Sequence, residues 1–261
     1  MPNFLSNNIK IAYDVYGSEQ AENKPAIILV HGFASNSKIN WLDTGWVDFL
    51  VSAGYLVITL DNRGHGLSEK LYDSKYYPAS EMAKDVVNLI EHLDLKTVSL
   101  LGFSMGARIC AYVCLQAPNK IRTVIFGGMG INLIKGMSNS KVIIDGLNAN
   151  SLSDISNKTA RQFRIFAEHT KSDLKALSAC LSSSRLPISI KDVQNIKIPA
   201  LVAVGSIDTV GGDAKELADI LPKGHALVIE GKDHMRSTGD KQFKTGVLDF
   251  LNHNDSAFKQ V

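Results

Sequence analysis

Cysteine is scarce in this chain, with three in 261 residues, an odd number that fits a reducing compartment better than a disulfide framework. Cys110 and Cys114 stand four apart on an expected helix, a spacing that could present two metal ligands. No Cys or His pair lies nearby to complete a tetrahedral set, so both are read as small buried thiols. No apolar run approaches the roughly 18 residues of a membrane span. Met1 to Asn8 shows neither the basic nor the apolar region of a secretory signal, and the expected location is cytoplasmic. Charge of one sign is lacking as well: the formal net charge is +2, with no block of like charges. That argues against a dedicated nucleic-acid surface. Internal repeats and low-complexity tracts are absent.

What remains is an ordinary globular composition, 45% apolar and 21% charged, long enough for one sizeable core. Strands and helices alternate, the pattern of a mostly parallel sheet covered by helices on both faces, an α/β fold. Ile9 to Tyr16 alternates like a half-buried strand in an antiparallel hairpin with residues near Phe4. Ala26 to Val30 is apolar throughout, as a strand buried on both faces should be. Further strands are expected at Tyr55–Leu60, Val98–Leu101, Thr123–Phe126, Ala200–Val204 and Ala226–Ile229. Helices are expected around Trp46–Ser52, at Met82–Leu93 behind a Ser80 cap, after Gly106 as far as Pro118, at Ala214–Leu221, and along the Phe243, Val247, Phe250 and Leu251 face.

The alternation breaks between Ile131 and Ile198, where short helices are expected near Val142, Phe163 and Leu177 and no strand is evident. The expected division is a core of residues 1–130 and 199–261 with a small helical cap, 131–198, inserted in it. That segment carries ten Lys and Arg against five Asp and Glu. A solvated cap surface accounts for the excess. A mild preference for anionic substrates would account for it too, but is not assumed.

Gly102-Phe103-Ser104-Met105-Gly106 follows an apolar run and precedes a helical pattern, which makes it a strand, a sharp turn and a helix with a serine at the apex. A G-x-S-x-G elbow holds the serine in a strained conformation, its hydroxyl clear of the strand end, and the glycines remove the Cβ atoms that would clash where helix and strand cross. In this context the chain resembles the α/β-hydrolase fold family, in its serine-nucleophile, carboxylesterase-like branch. The resemblance implies a triad in the order Ser, acid, His, each on a loop at a strand's C-terminal end. The acid is expected after Ala200–Val204, at Asp208. Asp213, the competitor, fits better as the N-cap of the next helix. The base is expected after the last strand. Of the seven histidines only His234 sits there, since His92, His169, His225 and His253 lie elsewhere.

His31-Gly32-Phe33 resembles the family's His-Gly-x motif. It implies an oxyanion hole made by the backbone N–H groups of Phe33 and Met105, with His31 tying the loop together. Asp61-Asn62-Arg63-Gly64-His65-Gly66-Leu67-Ser68 resembles the family's D-x-R-G-x-G-x-S stretch and is read as scaffold, although Asp61 and His65 could be mistaken for metal ligands. The implied activity is hydrolysis of small or medium acyl esters through an acyl-enzyme, with no cofactor or metal, on a small-molecule substrate. A serine at the elbow disfavours the dehalogenases and epoxide hydrolases that carry aspartate there. Thioesterase, lactonase and carbon–carbon bond hydrolase activities would use the same residues, and a non-catalytic ligand-binding role belongs to a different class. No nucleic-acid or membrane partner is expected. Self-association into a homo-oligomer stays open.

Overall fold

The structure, a computed structural model, describes residues 1–17, 24–136 and 140–254. Its strands are β1 (Asn3–Ser6), β2 (Ile9–Tyr16), β3 (Ala26–Val30), β4 (Leu56–Leu60), β5 (Val98–Phe103), β6 (Ile121–Gly127), β7 (Ala200–Gly205) and β8 (Gly224–Ile229). They form one eight-stranded sheet in the order β1-β2-β4-β3-β5-β6-β7-β8. β2 runs antiparallel to β1 and to β4, and every later pairing is parallel. The fold is a mostly parallel α/β sheet.

The two-residue period of a strand divides the core. Ile28 and Val30 of β3 and Leu100 of β5 face one cluster, which includes Met82, Val86 and Leu89 of α2 (Ala79–His92) and Ile109 and Val113 of α3 (Met105–Gln116). Ile27, Leu29 and Leu101 face the other, which includes Trp46 and Leu50 of α1 (Trp46–Ser52) and Phe243 and Val247 at the C-terminal helix Lys241–Asn254. Every residue of β3 and β5 is buried, which is why β3 reads as an unbroken apolar run and β5 as one interrupted only by Ser99, whose hydroxyl is bonded to Thr123 of β6.

Small differences from the sequence expectation have local causes. β4 starts at Leu56 because the Tyr55 N–H is already spent on the Leu50 carbonyl, closing the turn after α1. Helix α2 starts behind Pro78, whose extended backbone (φ −50°, ψ 139°) turns the chain in, so Ser80 falls inside the first turn and does not cap it. Among the described residues between β6 and β7 the chain makes five α-helices: α4 (Asn132–Lys135), α5 (Ser140–Asn148), α6 (Lys158–His169), α7 (Leu174–Leu181) and α8 (Ile190–Gln194). Arg164 of α6 donates to the carbonyls of Gly146, Leu147 and Ala149 and so closes the open C-terminal end of α5. The segment is tied down at Thr170, whose hydroxyl donates to the Ala34 carbonyl at 2.9 Å, and at Tyr72, which donates to Asp173 at 3.0 Å. Among the described residues, no helix is long and apolar enough to cross a membrane.

The chain passes from β3 outward to β4 and then returns to place β5 on the other side of β3. At such a reversal the loops leaving the two adjacent strands part and open a crevice at their C-terminal ends. The loops involved are His31–Ala34 and the Ser104 elbow, since Val30 pairs with Gly102.

Candidate active site

Ser104 sits between β5 and α3 with φ 54° and ψ −111°, a region that a non-glycine residue rarely occupies. The strain persists because its surroundings over-determine it. The Ser104 N–H donates to the Gly127 carbonyl at 2.7 Å, and its own carbonyl accepts the first bonds of α3 from Ala107 and Arg108. The side chain is thereby lifted out of the sheet toward the crevice, where it lines a cavity of about 220 Å³.

Asp208 and His234 come to the same place from loops far along the chain. Asp208 follows β7, and its Oδ1 accepts the N–H groups of Val210 at 2.7 Å and Gly211 at 2.9 Å. Its other oxygen lies 2.8 Å from His234 Nδ1, and His234 Nε2 lies 3.0 Å from Ser104 Oγ. An ionised carboxylate can only accept, so Nδ1 carries the proton and donates to Asp208, leaving Nε2 to accept from the Ser104 hydroxyl. Burial pushes the Asp208 carboxyl up. The hydrogen bond and charge of His234, with the Gly211 and Val210 N–H groups, outweigh it and hold the carboxyl below its usual range. Asp213 lies apart from this chain of bonds and caps α9 (Ala214–Ile220), accepting the Glu216 N–H. His234 opens a one-turn helix, α10 (His234–Ser237), capped by Asp233, which accepts the Arg236 N–H.

Phe33 and Met105, with Ser104 itself, line a recess of about 10 Å³, room for about one water-sized atom. Among the described residues neither the Phe33 nor the Met105 N–H donates to a protein acceptor. Behind Phe33, buried His31 accepts the Asn62 N–H on Nε2 at 2.9 Å, while Asn62 Nδ2 donates to the His31 carbonyl. Asp61 accepts the Ser37 N–H on one oxygen and the Leu67 N–H on the other. These bonds lock the loops after β3 and β4 to each other. The cavity's remaining wall is largely aromatic and aliphatic, with Phe103, Phe163, Phe166 and Val210.

Two arginines of the site escaped the sequence reading. Arg108 of α3 is buried and donates to the carbonyls of Leu133, Leu186 and Asn132, holding both roots of the helical segment. Arg185, between α7 and α8, lines the cavity beside Ser104. The only signal for it was the basic excess of the segment, in which it is one cation of ten. Cys110 and Cys114 are buried on α3, where burial holds both thiols well above their usual range.

Comparison with known proteins agrees with this architecture. A family model described as the α/β hydrolase fold matches residues 25–145. A non-heme chloroperoxidase, CPO-A1, from Kitasatospora aureofaciens is 25% identical over 92% of the chain and 96% of its own length. A bromoperoxidase from Bacillus anthracis superposes with a TM-score of 0.77 at 24% identity, covering 96% of this chain and all of its own. A structure from work on carboxylesterases of the thaumarchaeon Nitrososphaera gargenis reaches a TM-score of 0.78 at 20% identity over 98% of the chain and all of its own. The sheet order, the match over residues 25–145 and the structural neighbours that span nearly the full length show that this chain has the α/β-hydrolase fold.

Proposed function

We propose that the protein is a serine esterase that cleaves small or medium acyl esters through an acyl-enzyme. The observation that carries this reading is the unbroken relay of Ser104 Oγ, His234 and Asp208, with contacts of 3.0 and 2.8 Å. A serine hydroxyl is a weak nucleophile at neutral pH and needs a base within hydrogen-bond reach, and the base needs a fixed tautomer.

The chemistry follows from the positions. His234 Nε2 accepts the Ser104 proton as Oγ attacks the ester carbonyl. The carbonyl oxygen becomes an oxyanion in the recess, where the Phe33 and Met105 N–H groups receive it, the second helped by the N-terminal end of α3. Asp208 stabilises the imidazolium, which then protonates the departing alkoxide. Water, deprotonated by His234, attacks the acyl-enzyme and releases the acid. The cavity of about 220 Å³ supports a small substrate. The hydrolase class accords with the fold family, and the ester bond is the part proposed.

Intact mass after incubation with a fluorophosphonate, followed by peptide mapping, tests the reading. One adduct on Ser104, with turnover of p-nitrophenyl esters, is the expected result. A folded protein that takes no adduct and cleaves no ester overturns it.

A further inference from the structure

Arg185 lines both spaces that open on Ser104, the larger cavity with His234 and the recess with Met105. Its guanidinium stands 5.8 Å from the centre of the Phe33 ring and 5.5 Å from that of Phe163. Among the described residues it makes no hydrogen bond and no ion pair. Its buried neighbours in the chain behave differently. Arg63 is matched by Asp85 and the Tyr76 carbonyl, Arg164 by Glu168 and three carbonyls, and Arg108 by three carbonyls. A guanidinium carries five N–H donors, so Arg185 presents a complete, unused fork to the cavity that holds the nucleophile.

Withdrawing a cation from water without a counter-ion is costly, and two aromatic faces offset only part of that cost. Burial lowers the Arg185 pKa to about 10, with the Arg108 charge adding to the effect, so the group is still cationic at neutral pH. The other ionisable neighbour is Cys180, whose thiol burial pushes up to about 12. No carboxylate contributes. Beside the fork, the Ser184 hydroxyl is buried with no oxygen or nitrogen partner among the described residues and faces the same recess.

We propose that Arg185 is the specificity residue of this site and pairs with a carboxylate on the substrate, which is then an ester carrying a second, negatively charged group. The inference rests on the esterase reading above and narrows its substrate class. A planar guanidinium matches a carboxylate with two parallel N–H···O bonds. One cation neutralises one charge, and Arg108 is committed to the backbone carbonyls of Leu133, Leu186 and Asn132, which favours a carboxylate over a doubly charged phosphate.

The test compares kcat/KM within two pairs of esters of matched size. The mono-p-nitrophenyl ester of glutaric acid against p-nitrophenyl pentanoate places the charge on the acyl side. The acetate ester of 4-hydroxybenzoate against that of 4-hydroxybenzamide places it on the leaving group. The wild type should favour the charged member of one pair by about tenfold to a hundredfold, the range of a charge-assisted hydrogen bond. Arg185→Gln should bring that ratio to about one, and Arg185→Lys should restore part of it. Charged-to-neutral ratios that Arg185→Gln leaves unmoved, or an equal fall on charged and neutral esters alike, would overturn the proposal. The second pattern is the one expected of a group that only packs the site or only faces the oxyanion. Calorimetric binding of glutarate, weakened about tenfold or more by Arg185→Gln, reads the same contact without turnover. A protein inert to every ester that still binds glutarate through Arg185 would refute the esterase reading and leave only the pairing of Arg185 with a carboxylate standing.

Discussion

Arg63, in the loop after β4, and Asp85, inside α2, form a bidentate ion pair at 2.7 Å for each bond, with both side chains buried. The pair fastens the loop behind the candidate site to the helix that covers the sheet. Ser6 of β1 donates to the same carboxylate, and Arg63 also reaches the Tyr76 carbonyl, so four separate pieces of chain meet on one buried charge pair. Removing one partner leaves the other buried and uncompensated. Asp85→Asn and Arg63→Met should each cost about 3–5 kcal/mol, and the double variant less than the sum, because the second change removes the orphaned charge. Urea unfolding of the three variants measures this, and simple additivity would show that the two residues do not depend on each other.

The relay geometry sets an order among substitutions. Ser104→Ala removes the nucleophile and should lower kcat by roughly 10⁴-fold or more on any p-nitrophenyl ester the wild type cleaves. Asp208→Asn keeps the shape but loses the charge that orients and stabilises the His234 ring, and should cost about 10³- to 10⁴-fold. Asp213→Asn, which changes only the α9 cap, should leave turnover within a few-fold of wild type. Loss of activity in Asp213→Asn with activity kept in Asp208→Asn would reassign the acid.

How far these features were legible in the chain depends on how local their causes are. The elbow was readable because its glycines and serine act on one another within five residues, and β3 because burial on both faces leaves no polar position, while β5 admits one, Ser99, by bonding it to Thr123. Asp213 was readable as a cap because a cap bonds three residues ahead. Asp208 and His234 were found through the resemblance and its order of residues, and what the structure adds is their mutual distances. Asp85 was passed over because the apolar rhythm of Met82, Val86 and Leu89 says nothing of a carboxylate whose partner lies 22 residues back. Arg185 was invisible for the same reason: its place beside Ser104 depends on how the loop between α7 and α8 returns to the sheet, and no periodicity encodes that. The one-turn helix at His234 was missed because four residues are too few to show a helical period.

Two buried histidines predict how stability responds to acid. Burial pushes His65 down to about 3, with His31 adding to the effect, and burial also lowers His31 against the opposing charge of Asp61. His31 must be unprotonated on Nε2 to accept the Asn62 N–H. Both are therefore neutral in the folded protein at pH values where the unfolded chain, with ordinary histidines near 6.5, takes up protons. Their contribution is complete above about pH 6.5 and is lost as pH falls from there toward the folded value, by up to about 1.4 kcal/mol per pH unit for each. Asp208, held below its usual range, adds a loss only at lower pH, where carboxylates begin to protonate. Urea midpoints measured from pH 7 to 5 should fall in the wild type, and His65→Gln should make that fall shallower. Equal slopes in the two proteins would mean that His65 does not stay neutral in the fold.

Gly106 is pressed against β3 so closely that a Cβ there would fall on the Val30 carbonyl and meet the His31 carbonyl at 2.8 Å. The constraint is proximity, since Gly106 is helical and its φ is ordinary for any residue. The obstructing atoms are backbone at the root of the loop that carries the Phe33 N–H, so they cannot swing aside as a side chain would. Gly106→Ala should therefore push α3 off the sheet, cost about 3 kcal/mol or more, and lower esterase turnover by displacing the Met105 and Phe33 amides from each other. Gly231 supplies the contrast: its φ is +70°, but nothing lies within 4 Å of an added Cβ. Gly231→Ala should cost only the left-handed backbone penalty, about 1–2 kcal/mol, and leave the reaction nearly untouched. Urea unfolding with p-nitrophenyl ester kinetics on both variants separates the two kinds of glycine. A Gly106→Ala protein as stable and as active as Gly231→Ala would show that the helix has room to move away from β3 without disturbing the site.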